Sequence, residues 1–346
     1  MNRGVMIRRG AWVLGGVAVL LWRCGYGSFP DSPLLAHEVV PALPSLPRLP
    51  PGAQFILGSP IGAIVASLFR ATTETSFDLV HVGVFLGFIL VIGAILFRRE
   101  GPVSAALVGA GFVGSQTSVV LLAWIGSYDV FTVGFASMLV VLRRWWALAV
   151  VGFLLSFSAF EQGLIVIAML IALALFGLVG HWRGFTAALV GLLVGRVVLQ
   201  FWLHANDVTH DRLWFIRTTG TDVLLDQFWR SLPWLVPTAL GATVVAVIVS
   251  LASEPRWRER IVVITLLVLC LVPVAVSLDQ SRVYAVLSWP IVMVVLLRYA
   301  RRTEASDVER LSVLSLGLAA LIPGIFVWEG RAQLARHHLM RVLLRR

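Results

Sequence analysis

The sequence predicts an all-α membrane protein, a polytopic bundle of about eleven transmembrane helices. Three observations predict it. First, 59% of the 346 residues are hydrophobic and 13% are charged, where a soluble domain carries about 25% charged residues; the mean hydropathy is +0.91. Second, apolar runs of helical span length recur along the chain without the alternation of barrel strands. Third, all 28 basic residues are Arg. Most of them fall in short segments between the apolar runs, as in the cytoplasmic loops of membrane proteins. The net charge of +10 is therefore a topology signal, and no nucleic-acid partner is expected. An all-arginine basic set points to a GC-rich bacterial genome. The expected location is the bacterial plasma membrane, multi-pass, with the N-terminus cytoplasmic.

The elements follow in order. Span 1 is expected at about residues 5–22, with Arg8 and Arg9 snorkelling. It resembles a signal peptide, but no small-x-small site follows, so it reads as a retained span. An extracytoplasmic loop follows over 23–76. Its first half carries Pro30, Pro33, Pro41, Pro44, Pro47, Pro50 and Pro51, a density that predicts neither helix nor strand. Its second half, Gln54 to Phe69, is apolar and reads as an interfacial helix or a re-entrant piece. Span 2 (77–97) ends at Arg98-Arg99, and span 3 (102–123) ends at Trp124. Spans 4 and 5 lie within Trp124–Gln162 and are joined by a turn at Arg143-Arg144. Spans 6 to 11 are expected at 163–180, 185–204, 232–252, 261–277, 283–297 and 311–328. Residues 1–329 then form one transmembrane domain, and 330–346 a basic amphipathic tail. Eleven spans place that tail outside, against the arginine rule. Cys24 and Cys270 fall at different depths, so no disulfide is expected between them.

Asp129 opens span 4 and Glu161 closes span 5. Each run has roughly 16 residues and covers roughly 24 Å, less than the ~30 Å hydrocarbon core. Both carboxylates should sit slightly below the outer headgroups, where a charge needs a partner or a task. The outer side also collects Asp31, Glu38, Asp207, Asp211, Asp279, Arg212, Arg217 and Arg282. Arginine forks bind phosphate oxygens, and a carboxylate takes a proton from an attacking hydroxyl or holds a divalent cation.

The order of these features resembles the GT-C superfamily of polytopic glycosyltransferases, which take sugars from polyprenyl-phosphate donors outside the membrane. The matching features are an early loop acid, the Pro-led apolar segment FILGSPIGAIVASLF, Asp129 at a helix start, the basic-aromatic turn Arg143–Trp146, Gly152 in the returning helix, and Ser281-Arg282-Val283-Tyr284 leading to Trp289-Pro290. The resemblance covers about residues 10–297. It implies that Asp31 is the general base and that Asp129 positions the acceptor or a metal, both as catalytic residues. It places Arg282 near the donor phosphate. Glu161 and Arg212 join Arg282 as substrate-binding candidates. The implied partners are membrane lipid and a polyprenyl-phosphate-linked sugar, with a divalent cation as the one cofactor compatible with the site. The sequence departs from the family pattern in two ways: Asp31 and Glu38 stand seven apart, without a paired acid motif, and no soluble outer domain follows the last span.

Each residue also has a plainer reading. Asp31 in Phe-Pro-Asp-Ser-Pro suits a turn, and Asp129 suits a helix cap. Glu161 suits a hydrogen bond within the bundle, Arg196 a structural pair, and Arg282 a local pair with Asp279. His37, His204 and His210 lack the spacing of metal ligands. Two other functions stay open. One is a transporter or flippase of a lipid-linked or anionic solute, although no internal repeat is visible. The other is a non-catalytic GT-C-like subunit that holds a membrane protein partner.

Overall fold

The computed structural model describes residues 3–25, 27–180, 182–208, 212–329 and 331–335. Fourteen helices of eight residues or more are found among them. They are α1 (Arg3–Cys24), α2 (Ile61–Leu68), α3 (Glu74–Glu100), α4 (Pro102–Gly114), α5 (Gln116–Ala123), α6 (Asp129–Val141), α7 (Trp145–Leu175) and α8 (Trp182–Ala205). Then come α9 (Arg212–Thr219), α10 (Thr221–Thr238), α11 (Val244–Ala252), α12 (Trp257–Leu269), α13 (Gln280–Ala300) and α14 (Ala305–Leu321). A hairpin follows, β1 (Ile325–Trp328) antiparallel to β2 (Arg331–Leu334) with Val327 opposite Ala332.

Helix α13 is the axis. In its most apolar window 89% of residues are buried, against 11% in α3, which lies at the periphery with its apolar side chains exposed. Arg23, at the end of α1, is 1% exposed. Its guanidinium donates to the carbonyls of Val113 (2.8 Å), Ser115 (2.8 Å) and Ile322 (3.2 Å). A 60° bend separates α4 from α5. Helix ends leave carbonyls without partners, and Arg23 satisfies those freed at the bend and at the end of α14.

The two ends of the bundle differ in charge. At one end, Arg298 of α13 binds Glu254 (2.7 Å) and Glu259, and Arg302 binds Glu254. Arg301 binds Glu100 with two bonds of 2.6 and 2.7 Å, and Arg143 lies 3.6 Å from the same carboxylate. The other end holds Asp31, Asp129, Asp279 and Arg282. Helix α7 leaves and returns to the arginine end. A straight helix of 31 residues would be about 46 Å long. Yet Arg143 lies just before its start, and the carbonyl of Gly177, just past its end, accepts from Arg298 (3.0 Å). The chain reverses at Ala159, whose φ of −158° and ψ of 91° are not helical. Helix α8 packs closely on the first half, where a Cβ at Gly152 would overlap the carbonyl of Ala188.

Several expectations need correction. Among the described residues, four helices are long and apolar enough to cross a membrane, namely α3, α7, α8 and α13. There are five if the bent pair α4–α5 is one span. The expected eleven are not present as full-length spans. Spans 5 and 6 are present as the two halves of α7, which meet at the break at Ala159. Span 8 is interrupted at the 3₁₀ turn Gly241–Thr243, and span 9 breaks at Cys270 and resumes as the short helix Leu271–Ala275. Span 11 ends at Leu321 because Pro323 and Gly324 end the helix. The proline-rich stretch is partly helical: Ser32–Leu34, Leu35–Val39 and Val40–Ala42 run on as one helical segment whose middle is a π turn. Pro33 sits in its first turn, where no N–H is needed, and the π turn widens the coil just before Pro41. The start of the predicted tail is strand β2. Residues 336–346 lie outside the described residues.

The arginine end yields a pH prediction. Burial by itself raises the Glu254 carboxyl, but Arg298 and Arg302 hold it at about 2. A carboxyl whose pKa is lowered on folding contributes stability above its unfolded value, and that stability is lost as pH falls through the folded value. The thermal midpoint in detergent should therefore fall between about pH 4.5 and about pH 2. Glu254→Gln should lower the midpoint at neutral pH and flatten that acid limb. An unchanged limb in the variant would assign the acid sensitivity to other carboxyls.

Candidate functional site

The site is built from two helix starts and one loop. Asp129 is the first residue of α6, where the helix dipole favours a carboxylate. It makes no capping bond; Tyr128 holds the cap position. Ser127 Oγ instead donates to Asp129 Oδ2 at 2.9 Å. Arg282 lies in the first turn of α13, where the dipole disfavours a cation. Nearby acids supply what the helix does not. Arg282 Nε lies 3.3 Å from Asp129 Oδ2, and Nη2 lies 3.2 Å from Asp279 Oδ2. Nη2 also donates to the Tyr128 hydroxyl at 2.7 Å. The guanidinium carbon sits 5.1 Å from the Trp124 ring centre and 5.3 Å from that of Tyr128, within cation–π range. Asp129 is 1% exposed and Arg282 is 8% exposed.

Asp31 is brought to this cluster by backbone pairing. After α1 the chain runs alongside the segment that follows α5. Gly27 N donates to Leu122 O (3.1 Å), Ile125 N to Gly27 O (2.8 Å) and Phe29 N to Ile125 O (2.7 Å). Asp31 makes no side-chain cap for the helical segment it precedes. It feels the charges of Arg282 and Asp279. Burial raises its carboxyl above the usual range, Asp279 adds to the rise, and Arg282 opposes it. Ser32 Oγ donates to Asp78 Oδ1 at 3.1 Å, which ties the loop to α3. From the far side, Ser281 Oγ donates to Val327 O (3.2 Å) and accepts from Val327 N (2.9 Å), so the C-terminal hairpin closes over the start of α13. Phe326 stacks edge-on against Trp124 at 6.1 Å.

The structure thus brings together Asp31, Asp129 and Arg282. Glu161 is elsewhere: it pairs with Arg196 at 3.8 Å, and Arg196 also lies 4.9 Å from the Phe160 ring centre. Glu161 follows the reversal at Ala159, away from the arginine end, but its partner is on α8 and not in the cluster. Arg212 is the first residue of α9, and its side chain is outside the described part. His210 and Asp211 also lie outside the described residues. Sequence reasoning missed Tyr128, Trp124 and Asp78. An aromatic next to a helix-initiating acid was a signal for Tyr128. Asp78 was hidden because it reads as part of span 2.

An apolar cavity of about 140 Å³ lies inside the bundle between α3, α4, α6 and α13, and none of the cluster residues lines it. Its walls include Phe85, Phe88, Phe112, Val130 and Trp289. Val130 adjoins Asp129, and Trp289 lies two turns below Arg282. The donor set does not fit a divalent cation, because a guanidinium already occupies the position toward which Asp129 and Asp279 converge. Among the described residues no three His, Cys, Asp or Glu side chains are grouped as metal ligands.

Gly126 is a checkpoint for this geometry. Its φ is +96°, and a Cβ there would overlap Ser32 Oγ and lie 2.7 Å from Asp78 Oδ1. Gly126→Ala should cost about 1–3 kcal/mol of stability through backbone strain. It should also displace the loop that carries Asp31. A thermal midpoint equal to that of the unmodified chain would show that the turn adapts without strain.

No family model matches the chain, and no curated protein matches it. Among solved structures it is similar to ArnT from Cupriavidus metallidurans, whose crystal structure was determined bound to undecaprenyl phosphate. The TM-score is 0.51 at 15% sequence identity, and the match covers 87% of this chain and 60% of that one. The chain therefore spans less than two thirds of the neighbour's length. At this identity the likeness is one of fold. Over the matched part the chain shares the helical fold of that protein.

Proposed function

We propose that this protein is a membrane glycosyltransferase that takes a sugar from a polyprenyl-phosphate donor on the extracytoplasmic face. The observation that carries this reading is the meeting of Asp129 and Arg282 at the starts of α6 and α13, two helices that also wall the apolar cavity. A lipid phosphate needs both parts, a guanidinium fork for its headgroup and an apolar wall for its first isoprene units. The undecaprenyl phosphate bound by ArnT, which has the same fold, supports that assignment.

In this reading Arg282 faces the donor phosphate, and the surrounding carboxylates fix its orientation. Asp31 takes the proton from an acceptor hydroxyl. The freed oxygen bonds to the anomeric carbon of the sugar, and the bond from that carbon to the phosphate oxygen breaks. Polyprenyl phosphate leaves with the electron pair, and Asp31 returns the proton to solvent. A carboxyl raised by burial suits this task, because a base closer to neutral pH accepts the proton with less cost. Asp129 holds Arg282 and the start of α6.

Asp31→Asn should lower transfer by at least about a hundredfold while leaving the thermal midpoint near that of the unmodified chain. Transfer should also fall as pH drops through the raised pKa of Asp31, at a pH above about 4, the usual Asp value. Arg282→Ala would leave buried Asp129 without its partner, at a cost of about 3–5 kcal/mol. Arg282→Lys is the better test, since it keeps the charge and loses the fork. Full transfer by both Asp31→Asn and Arg282→Lys would remove this assignment.

One observation favours a second reading. The charge of Arg282 is already balanced by Asp129 and Asp279, as in a structural clamp. A non-catalytic subunit would show no transfer with any polyprenyl-phosphate sugar. It would co-purify with a partner enzyme, and Asp31→Asn would leave that partner's activity unchanged.

A further inference from the structure

A second polar feature lies at the opposite end of the bundle. The residues Arg143, Arg144, Trp145 and Trp146 before and at the start of α7 meet Trp182, Arg183 and Gly184 at the start of α8. Together they line an open notch of about 420 Å³. The two segments are distant in sequence and converge because α7 reverses at Ala159. Among the described residues no acid lines the notch. The carboxylate nearest to it, Glu100, lies 3.6 Å from Arg143 but is bound by two bonds from Arg301. The notch therefore keeps a net positive charge.

Its aromatic side chains are exposed: Trp145 by 67%, Trp146 by 51% and Trp182 by 51%. Arg144 lies 6.0 Å from the Trp146 ring centre and Arg183 lies 5.5 Å from that of Trp182. Helix α8 is long and apolar enough to cross a membrane, so its first residues stand at headgroup level, and the start of α7 lies beside them. Tryptophan belts are ordinary at that level. A concave notch with several arginines and no lining acid is more specific. Arginine forks match phosphate oxygens, and the indole faces suit the glycerol and upper acyl region.

We infer that this notch is a binding site for the headgroup of an anionic phospholipid in the membrane leaflet at the arginine end. The site is independent of the transferase reading. It would hold a structural lipid between the α6–α7 turn and α8 and so brace the reversal of α7.

The test is native mass spectrometry of the full chain in non-ionic detergent, titrated with dioleoylphosphatidylglycerol or dioleoylphosphatidylcholine. The chain should bind the anionic lipid more tightly than the zwitterionic one. Arg144→Gln with Arg183→Gln should weaken phosphatidylglycerol binding by about fivefold per arginine. Arg183→Gln alone should give about half that effect on a logarithmic scale. The matched control is Arg258→Gln with Arg310→Gln. It removes the same charge from exposed positions at the same end, and it should leave binding unchanged. An equal loss in the control, or equal affinity for the two lipids, would overturn the site. Displacement by glycerol 1-phosphate at millimolar concentration would overturn it as a lipid site and leave a free-phosphate site.

Discussion

The acid end of the molecule depends on one buried guanidinium. Arg282 is placed where its own helix dipole opposes it, and carboxylates from α6 and from the residue before α13 hold it there. Removing a buried charge from water costs several kcal/mol per ion, and attraction offsets this only when the geometry is good and the remaining donors are satisfied. Here Asp129 and Asp279 supply charge, Tyr128 a hydroxyl and Trp124 a π face. The arrangement ties α6 and α13 at one point. A partner missing from any side leaves a charge in a poorly solvated place, so the cluster specifies one relative position of these helix starts.

Arg23 does for the backbone what Arg282 does for the carboxylates. The bend between α4 and α5 leaves carbonyls that a membrane interior cannot hydrate. A single buried arginine satisfies them and ties in the end of α14. The loop that carries Asp31 starts two residues later and is zipped to the segment after α5. The irregular backbone of α4–α5 is therefore what presents Asp31, Trp124 and Tyr128 on one side of α13. The hairpin β1–β2 then covers the other side through Ser281. Function at this end rests on broken helices, while the intact spans supply the frame around them.

Much of this was readable from the chain. Asp129, Asp31 and Arg282 could be picked out because carboxylates and arginines at the ends of apolar runs are costly to keep. Arg196 was expected to serve as a structural partner of an acid or of carbonyls, and Glu161 lies 3.8 Å from it. The failures share a physical cause. Glu161 was expected at the junction of spans 5 and 6, and the chain does reverse beside it at Ala159, but its partner is Arg196 on α8 rather than the cluster, which no local pattern shows. The helix over Ser32–Ala42 was missed because proline density was read without its position in the turn. Asp78 was missed because its partner, Ser32, lies 46 residues away in the chain.

By itself the sequence determined the solvent, the helical class and the polarity of the bundle. These follow from composition and from where arginines are cheap to place, which are local properties. It also identified the residues with no inexpensive place to go. Tertiary structure decided which of them meet. It decided that Asp31 lies within the field of Arg282, that Glu161 pairs with Arg196, and that two distant Arg-Trp segments form one notch. Those outcomes depend on contacts between segments far apart in the chain, whose energies exist only once the backbone is bent. Periodicity and charge along a line do not carry that information.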